Sequence, residues 1–128
     1  MGTLSFRGKV YTGKGEGKKF IQLDWVQKQI REKLGFTAYP GTLNIRLDRD
    51  SLQQKKMLGK AQRFWIIPEK GYCKAILYKG KITGLDAGII VPQVAAYPPD
   101  VMEVIAADFL RRRLRLADGS EAAVTVNV

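Results

Sequence analysis

The chain has 128 residues, which is enough for one compact domain with a single core but not for two. It contains no histidine and one cysteine, which excludes a histidine base, an intrachain disulfide and a multi-cysteine zinc site. Lysine plus arginine outnumber aspartate plus glutamate by 22 to 12, a net charge of +10 that favours a polyanionic partner, either nucleic acid or nucleotide phosphates.

The hydropathy of the sequence indicates a cytoplasmic protein. Residues 1–7 lack the apolar core of a secretory signal, and no segment approaches the roughly 20 apolar residues that span a bilayer. One unpaired cysteine fits a reducing compartment. We therefore expect a cytoplasmic protein with no membrane partner. We also expect a monomer, although none of these features determines the oligomeric state.

The first predicted strand, residues 3–11, enters a glycine-rich loop. The loop has the sequence Gly13-Lys14-Gly15-Glu16-Gly17-Lys18. Alternating glycines allow the backbone to approach an anion closely and to turn its N–H groups toward it, and the lysines add positive charge. The pattern is neither a Walker A loop nor a Rossmann fingerprint. The alternative interpretation is a flexible turn between two elements.

A helix is predicted over residues 24–34. Asp24 and Gln27 have the spacing of a capping box, and apolar residues then recur at helical intervals up to Leu34. Gly35 is a suitable C-terminal stop.

A second motif follows a turn at Pro40 and Gly41. Residues 42–47 predict a strand whose apolar side chains face the core, so Thr42 and Asn44 share the opposite face. A hydroxyl and an amide carbonyl side by side can ligate Mg²⁺, weakly until nucleotide phosphates supply negative charge. The alternative is that both side chains only bond the backbone of the turn.

The rest of the chain predicts short strands separated by turns. Strands are expected at residues 63–67, 73–78, 87–91, 101–106 and 122–128, with a polar helix or excursion at 51–60 and turns at 69–71, 80–86 and 118–119. Asp108 is placed to cap a short helix that contains Leu110. Many short strands and one main helix predict an all-β dominated domain, and a closed barrel would leave no exposed edge.

A third motif lies in residues 97–106, where Glu103 interrupts an apolar run. An isolated carboxylate in such a run is costly unless it is exposed, paired or functional. In a chain without histidine, Glu103 is a natural candidate to accept a proton from a substrate hydroxyl. The alternative is an edge strand on which Glu103 faces solvent.

Together these pieces resemble the archaeal-type, CTP-dependent riboflavin kinase family. The matching pieces are residues 13–17, the helix ending at Gly35, residues 40–44, residues 97–100 with Glu103, Leu110 with Arg111, and Asp118 with Gly119. The resemblance covers residues 8–126 and is weakest between 50 and 75. It implies a small six-stranded cradle-loop β-barrel in one domain, residues 1–128. Some members carry an N-terminal winged-helix domain, which is not expected here.

The resemblance also implies an activity and a set of roles. The reaction would be transfer of the γ-phosphoryl group of CTP to the terminal ribityl hydroxyl of riboflavin, giving FMN and CDP with Mg²⁺. Thr42 and Asn44 would hold Mg²⁺, and Glu103 would contact the ribityl chain and act as the base. Gly13, Lys14, Gly15, Glu16, Gly17, Lys18, Asp108, Phe109, Leu110 and Arg111 would bind the nucleotide. Ala95 stands at a flavin-binding position where the family commonly has threonine, which puts flavin affinity in question.

Two other functions are compatible with the same residues. A barrel that binds nucleic acid without catalysis would use the positive charge, but the aromatic residues do not interleave with the basic ones as in a stacking motif, so nucleic acid is not the expected partner. A lapsed kinase that only binds flavin or nucleotide is suggested by Ala95.

Overall fold

The structure, a computed structural model, describes residues 2–69 and 71–128. Its strands are β1 (Thr3–Tyr11), β2 (Leu43–Leu47), β3 (Arg63–Ile66), β4 (Ala75–Ile82), β5 (Leu85–Pro92), β6 (Val101–Ile105) and β7 (Glu121–Asn127). Its helices are α1 (Glu16–Ile21), α2 (Asp24–Leu34), α3 (Arg49–Gln54), α4 (Leu110–Arg113) and a 3₁₀ helix (Lys55–Lys60). Within these described ranges, no helix combines the length and apolar character needed to cross a membrane.

Six strands close into an antiparallel barrel in the order β4-β5-β6-β2-β1-β7, which confirms the predicted fold class. Residues 75–78 of β4 pair with β3, whereas residues 80–82 pair with β7, so β4 both carries the additional strand and closes the barrel. Gly80 makes this closure possible, because a Cβ there would lie 2.6 Å from the carbonyl oxygen of Thr125.

The core has two parts, one inside the barrel and one outside it. Alternate residues of β1, among them Phe6 and Val10, point into the barrel and are buried there. Helix α2 packs outside, with Val26 and Ile30 in a second cluster that includes Leu77 of β4. Because β4 and β5 are covered on both faces, each contains a run of consecutive buried residues rather than an alternating pattern.

The predicted helix at residues 24–34 is confirmed, but its capping box is wrong. Gly35 ends α2 in the left-handed conformation with φ 83°, as expected. Leu23 occupies the N-cap, and the buried side chain of Gln27 is used elsewhere. Its amide donates to the carbonyl oxygens of Ile21 (2.9 Å) and Ala38 (2.8 Å), and its oxygen accepts from the Ala38 N–H (3.0 Å).

Three other local predictions need correction. The turn predicted at residues 80–86 is shorter, since β4 continues to Ile82 and the chain reverses at Thr83 and Gly84, both with positive φ. Residues 16–18 of the predicted loop already belong to α1. Asp108 does not occupy the cap of α4, which is Phe109, and instead pairs with Arg113 at 3.5 Å. The predicted turn at 69–71 includes Lys70, which lies outside the described residues.

Candidate active site

The glycine loop lies directly against Thr42 and Asn44. A Cβ on Gly17 would be 2.6 Å from Thr42 Oγ1 and 3.2 Å from Glu103 Oε1. A Cβ on Gly13 would overlap the Asn44 amide. A Cβ at either position would therefore displace the polar side chain that it faces, and glycine lets the loop backbone lie directly against these side chains.

Thr42, Asn44 and Glu103 form one cluster of oxygen atoms. Asn44 and Glu103 are partners in the β2–β6 ladder. Thr42 Oγ1 lies 2.9 Å from Glu103 Oε1 and 3.3 Å from Asn44 Oδ1. Since a hydroxyl has one hydrogen, the shorter contact indicates donation to Glu103, which leaves oxygen lone pairs on Thr42 and Asn44 available to a cation.

Glu103 is held from its other side by Tyr97. The Tyr97 hydroxyl donates to Glu103 Oε2 at 2.6 Å. Burial, followed by this hydrogen bond to Glu103, raises the pKa of Tyr97, so the phenol remains a donor at alkaline pH values that ionise an ordinary tyrosine. Strand β6 lies between β2 and β5, and Glu103 is half-buried, so the alternative of a solvent-facing residue on an edge strand is wrong.

Two cavities meet at this cluster. The larger is an open cleft of about 690 Å³ along the glycine loop, and the second is a more apolar cavity of about 430 Å³ lined in part by Phe20, Tyr72 and Ile90. The residues that line both are Glu16, Gly17, Thr42, Tyr97 and Glu103. The carboxylate therefore stands in a wall common to a polar and an apolar compartment.

The charged side chains lining the cleft are mainly basic. They are Lys14, Lys18, Arg46 and Arg111, against the acids Glu16 and Glu103. Arg111 is fixed by Asp118 at 2.8 Å and by Thr12 at 3.3 Å. Hydrogen bonds from Arg111 and then Thr12 lower the pKa of Asp118, so this ion pair persists at a lower pH than it would with an ordinary aspartate. Such a cleft is suited to an anionic ligand.

The remaining predicted nucleotide residues lie in a neighbouring recess. Asp108, Phe109 and Leu110 line a cavity of about 60 Å³ that shares Thr42 with the cleft. The Phe109 ring stacks on Tyr39 with ring centroids 4.8 Å apart. Every predicted nucleotide residue thus lines either the cleft or this recess.

Ala95 is set apart from the other predicted site residues. It is exposed in the connection between β5 and β6, whereas Val94 and Tyr97 on either side of it line the apolar cavity.

Tyr97 is a site residue that the sequence prediction did not assign. It is the first residue of the third motif, residues 97–106. The available signal is its position before two prolines and six residues before an acid in an apolar run.

The donor set at the cluster is compatible with a hard divalent cation. In residues 2–69 and 71–128, no three aspartate, glutamate or cysteine side chains are grouped to hold a metal. A cation here would therefore depend on the neutral oxygens of Thr42 and Asn44 and on anions of the substrate, as Mg²⁺ commonly does.

Comparison with known proteins gives consistent matches. Residues 10–127 match the family model CTP-dep_RFKase, described as a domain of unknown function, DUF120. Riboflavin kinase of Ignicoccus hospitalis is 35% identical over 96% of this chain and 71% of that protein. Those of Archaeoglobus fulgidus (34%) and Methanocella arvoryzae (40%) each match 98% of this chain. The chain spans only 55% and 58% of the length of these two relatives.

Proposed function

We propose, since this chain belongs to the CTP-dependent riboflavin kinase family, that it transfers the γ-phosphoryl group of CTP to the terminal ribityl hydroxyl of riboflavin. Membership of this family supports phosphorylation of riboflavin to FMN as the reaction, and we further propose CTP as the phosphate donor and Mg²⁺ as the required ion. The observation that carries it is the position of Glu103 and Thr42 in the wall common to the basic cleft and the apolar cavity.

The two cavities match the chemistry of the two substrates. The isoalloxazine ring is flat and largely apolar, and it fits the cavity that contains Phe20, Tyr72 and Ile90. The triphosphate is anionic and fits the cleft beside Lys14 and Lys18. The hydroxyl and the phosphate would then meet at the wall they share.

Thr42 and Asn44 would hold Mg²⁺ through Oγ1 and Oδ1. When bound, the ion neutralises charge on the phosphates and orients them. Because neither ligand is charged, the ion would bind together with the nucleotide rather than before it.

Glu103 is the proposed base. It takes the proton of the ribityl hydroxyl as that oxygen forms its bond to the γ-phosphorus. The bond from the γ-phosphorus to the bridging oxygen breaks, and CDP leaves with that electron pair. Phosphoryl transfer depends mainly on in-line positioning and on neutralising charge, which Lys14 and Lys18 would assist.

The test is to incubate the purified chain with riboflavin, Mg²⁺ and either CTP or ATP, and to measure FMN. FMN with CTP alone is the expected result, and its absence with every nucleotide would overturn the proposal. Riboflavin fluorescence, followed in parallel, distinguishes a lapsed kinase, which quenches it by binding without turnover. Salt-sensitive nucleic-acid binding with no response to riboflavin would favour the non-catalytic barrel.

A further inference from the structure

We infer that Tyr97 is a positioning residue that holds Glu103 in the orientation required to accept the proton of the substrate hydroxyl. This inference rests on the proposed function. Its basis is that the two oxygens of the Glu103 carboxylate have different partners. Oε2 accepts from the Tyr97 phenol at 2.6 Å, and Oε1 accepts from Thr42 at 2.9 Å.

These two hydrogen bonds remove a freedom that a carboxylate otherwise has. The terminal torsion of glutamate is broad, so an unrestrained carboxylate rotates and presents either oxygen to a substrate. With a donor on each oxygen, the plane of the carboxylate is fixed, while each oxygen keeps a second lone pair. A base held in this way needs no reorganisation when the hydroxyl arrives.

The backbone on both sides of Tyr97 is anchored by hydrogen bonds, some of them from a separate part of the chain. Lys55 Nζ donates to the carbonyl oxygens of Pro99 (2.8 Å) and Val101 (3.2 Å), and it lies 6.0 Å from the centre of the Tyr97 ring. The Tyr97 N–H donates to the carbonyl of Val94 at 3.2 Å. The segment between β5 and β6 is thus braced on both sides of Tyr97, as a positioning role requires.

The test is Tyr97→Phe, which keeps the ring and removes only the hydroxyl. We expect kcat for FMN formation to fall roughly tenfold, since one charge-assisted hydrogen bond to the base is lost. The KM values for riboflavin and CTP should stay within about twofold of those of the unaltered chain, because the hydroxyl donates to Glu103 and not to a substrate. Tyr78→Phe, the same change in a buried tyrosine of the barrel core, is the matched control and should leave kcat unchanged.

A double-mutant cycle with Glu103→Gln separates positioning from a structural effect. If Tyr97 acts through Glu103, adding Tyr97→Phe to Glu103→Gln lowers kcat no further, whereas a general loss of structure multiplies the two effects.

Each result is decisive. The inference is contradicted if Tyr97→Phe keeps full kcat, raises only KM, or does not fold. It is also contradicted if the rate losses of Tyr97→Phe and Glu103→Gln multiply in the double mutant. Each of these outcomes leaves the proposed function standing. If the unaltered chain makes no FMN, both fail.

Discussion

Asn44 on β2 and Glu103 on β6 are directly opposed across an antiparallel ladder, so their side chains leave the barrel wall on the same face. Thr42 lies two residues before Asn44 and reaches the same carboxylate. The site therefore depends on strand register: a slip of one residue would turn Asn44 into the core and an apolar neighbour into the cleft.

Asn44→Ala should remove most FMN formation and leave the fold intact. The amide oxygen is one of the two neutral ligands proposed for Mg²⁺, so we expect kcat to fall roughly 100-fold and half-maximal activity to need more Mg²⁺. Steady-state rates across a Mg²⁺ titration measure both effects. Asn127→Ala, in an exposed residue of β7, is the control, and equal rates for the two variants would contradict the metal assignment.

Glu103→Gln should slow the chemical step far more than it weakens riboflavin binding. The amide keeps the shape of the side chain but accepts no proton, and loss of a general base typically costs about 10² to 10⁴ in rate. Single-turnover FMN formation gives the chemical step, and quenching of riboflavin fluorescence gives binding. Glu32→Gln on the exposed face of α2 is the control. Normal turnover by Glu103→Gln would show that the base is another group.

Gly17→Ala should separate activity from stability. The new methyl group would lie 2.6 Å from Thr42 Oγ1, which forces the start of α1 or the Thr42 side chain to move. Replacing a helical glycine by alanine favours the helix by about 0.5–1 kcal/mol, which offsets the cost of this movement, so the thermal midpoint should change little. The displaced groups are needed for catalysis, so kcat/KM should fall roughly tenfold.

The matched control for Gly17→Ala is Gly59→Ala. A Cβ at Gly59 has no neighbour within 4 Å among the described residues, so this variant should keep full activity. If both alanine variants are fully active, the close approach of the loop to Thr42 is not important for catalysis.

The fold was largely predictable because burial is written into local patterns. Alternation at Leu43 and Ile45, and helical spacing up to Leu34, each indicate one buried face, and both predictions are confirmed. Gln27 was misassigned because its partner Ala38 lies eleven residues away, and a tertiary hydrogen bond outcompetes the local cap. The pairing of β4 with β7 also has no local signal.

The site was predictable as a set of residue types but not as an arrangement. Nothing in the sequence places Thr42 and Glu103, 61 residues apart, within hydrogen-bonding distance. Glycines at positions 13 and 17 suggested a close approach to an anion, whereas the structure shows that they first make room for Asn44 and Thr42. These relationships follow from barrel closure and register, which periodicity does not specify.

Two tyrosines, Tyr97 and Tyr78, should ionise at higher pH in the folded protein than in the unfolded chain. Burial and the bond to Glu103 raise the pKa of Tyr97, and burial raises that of Tyr78. A raised pKa favours the protonated folded state, so this stabilisation is complete below pH of about 10, the ordinary tyrosine pKa, and is lost as the pH rises above it.

Absorbance at 295 nm reports phenolate directly. Part of the signal should appear at higher pH in the folded protein than in the chain unfolded by denaturant. Tyr97→Phe and Tyr78→Phe should each remove a portion of the absorbance change that appears at higher pH. Each should also reduce the loss of unfolding free energy at alkaline pH. Coincident titrations of folded and unfolded chains would contradict both shifts.

Gly80→Ala tests how the barrel closes. Its Cβ would lie 2.6 Å from the Thr125 carbonyl oxygen, a backbone atom that cannot rotate away. We expect the free energy of unfolding to fall by about 1–3 kcal/mol, the usual cost of overpacking. Urea unfolding followed by tryptophan fluorescence measures this, with Gly59→Ala again as the control. An unchanged urea unfolding midpoint would mean that β4 and β7 can move apart enough to accommodate the methyl group without loss of stability.

The partition formed by Thr42, Gly17 and Glu103 also has a consequence for inhibitor design. If the cleft and the apolar cavity each admit one substrate, a single compound could occupy both at once. In such a compound the ribityl chain of the flavin would be joined to cytidine through a short phosphate tether. Such a hybrid loses translational freedom once instead of twice, and its affinity would exceed that of either half alone. The tether would have to cross this wall, so its best length would be set by the thickness of one layer of side chains.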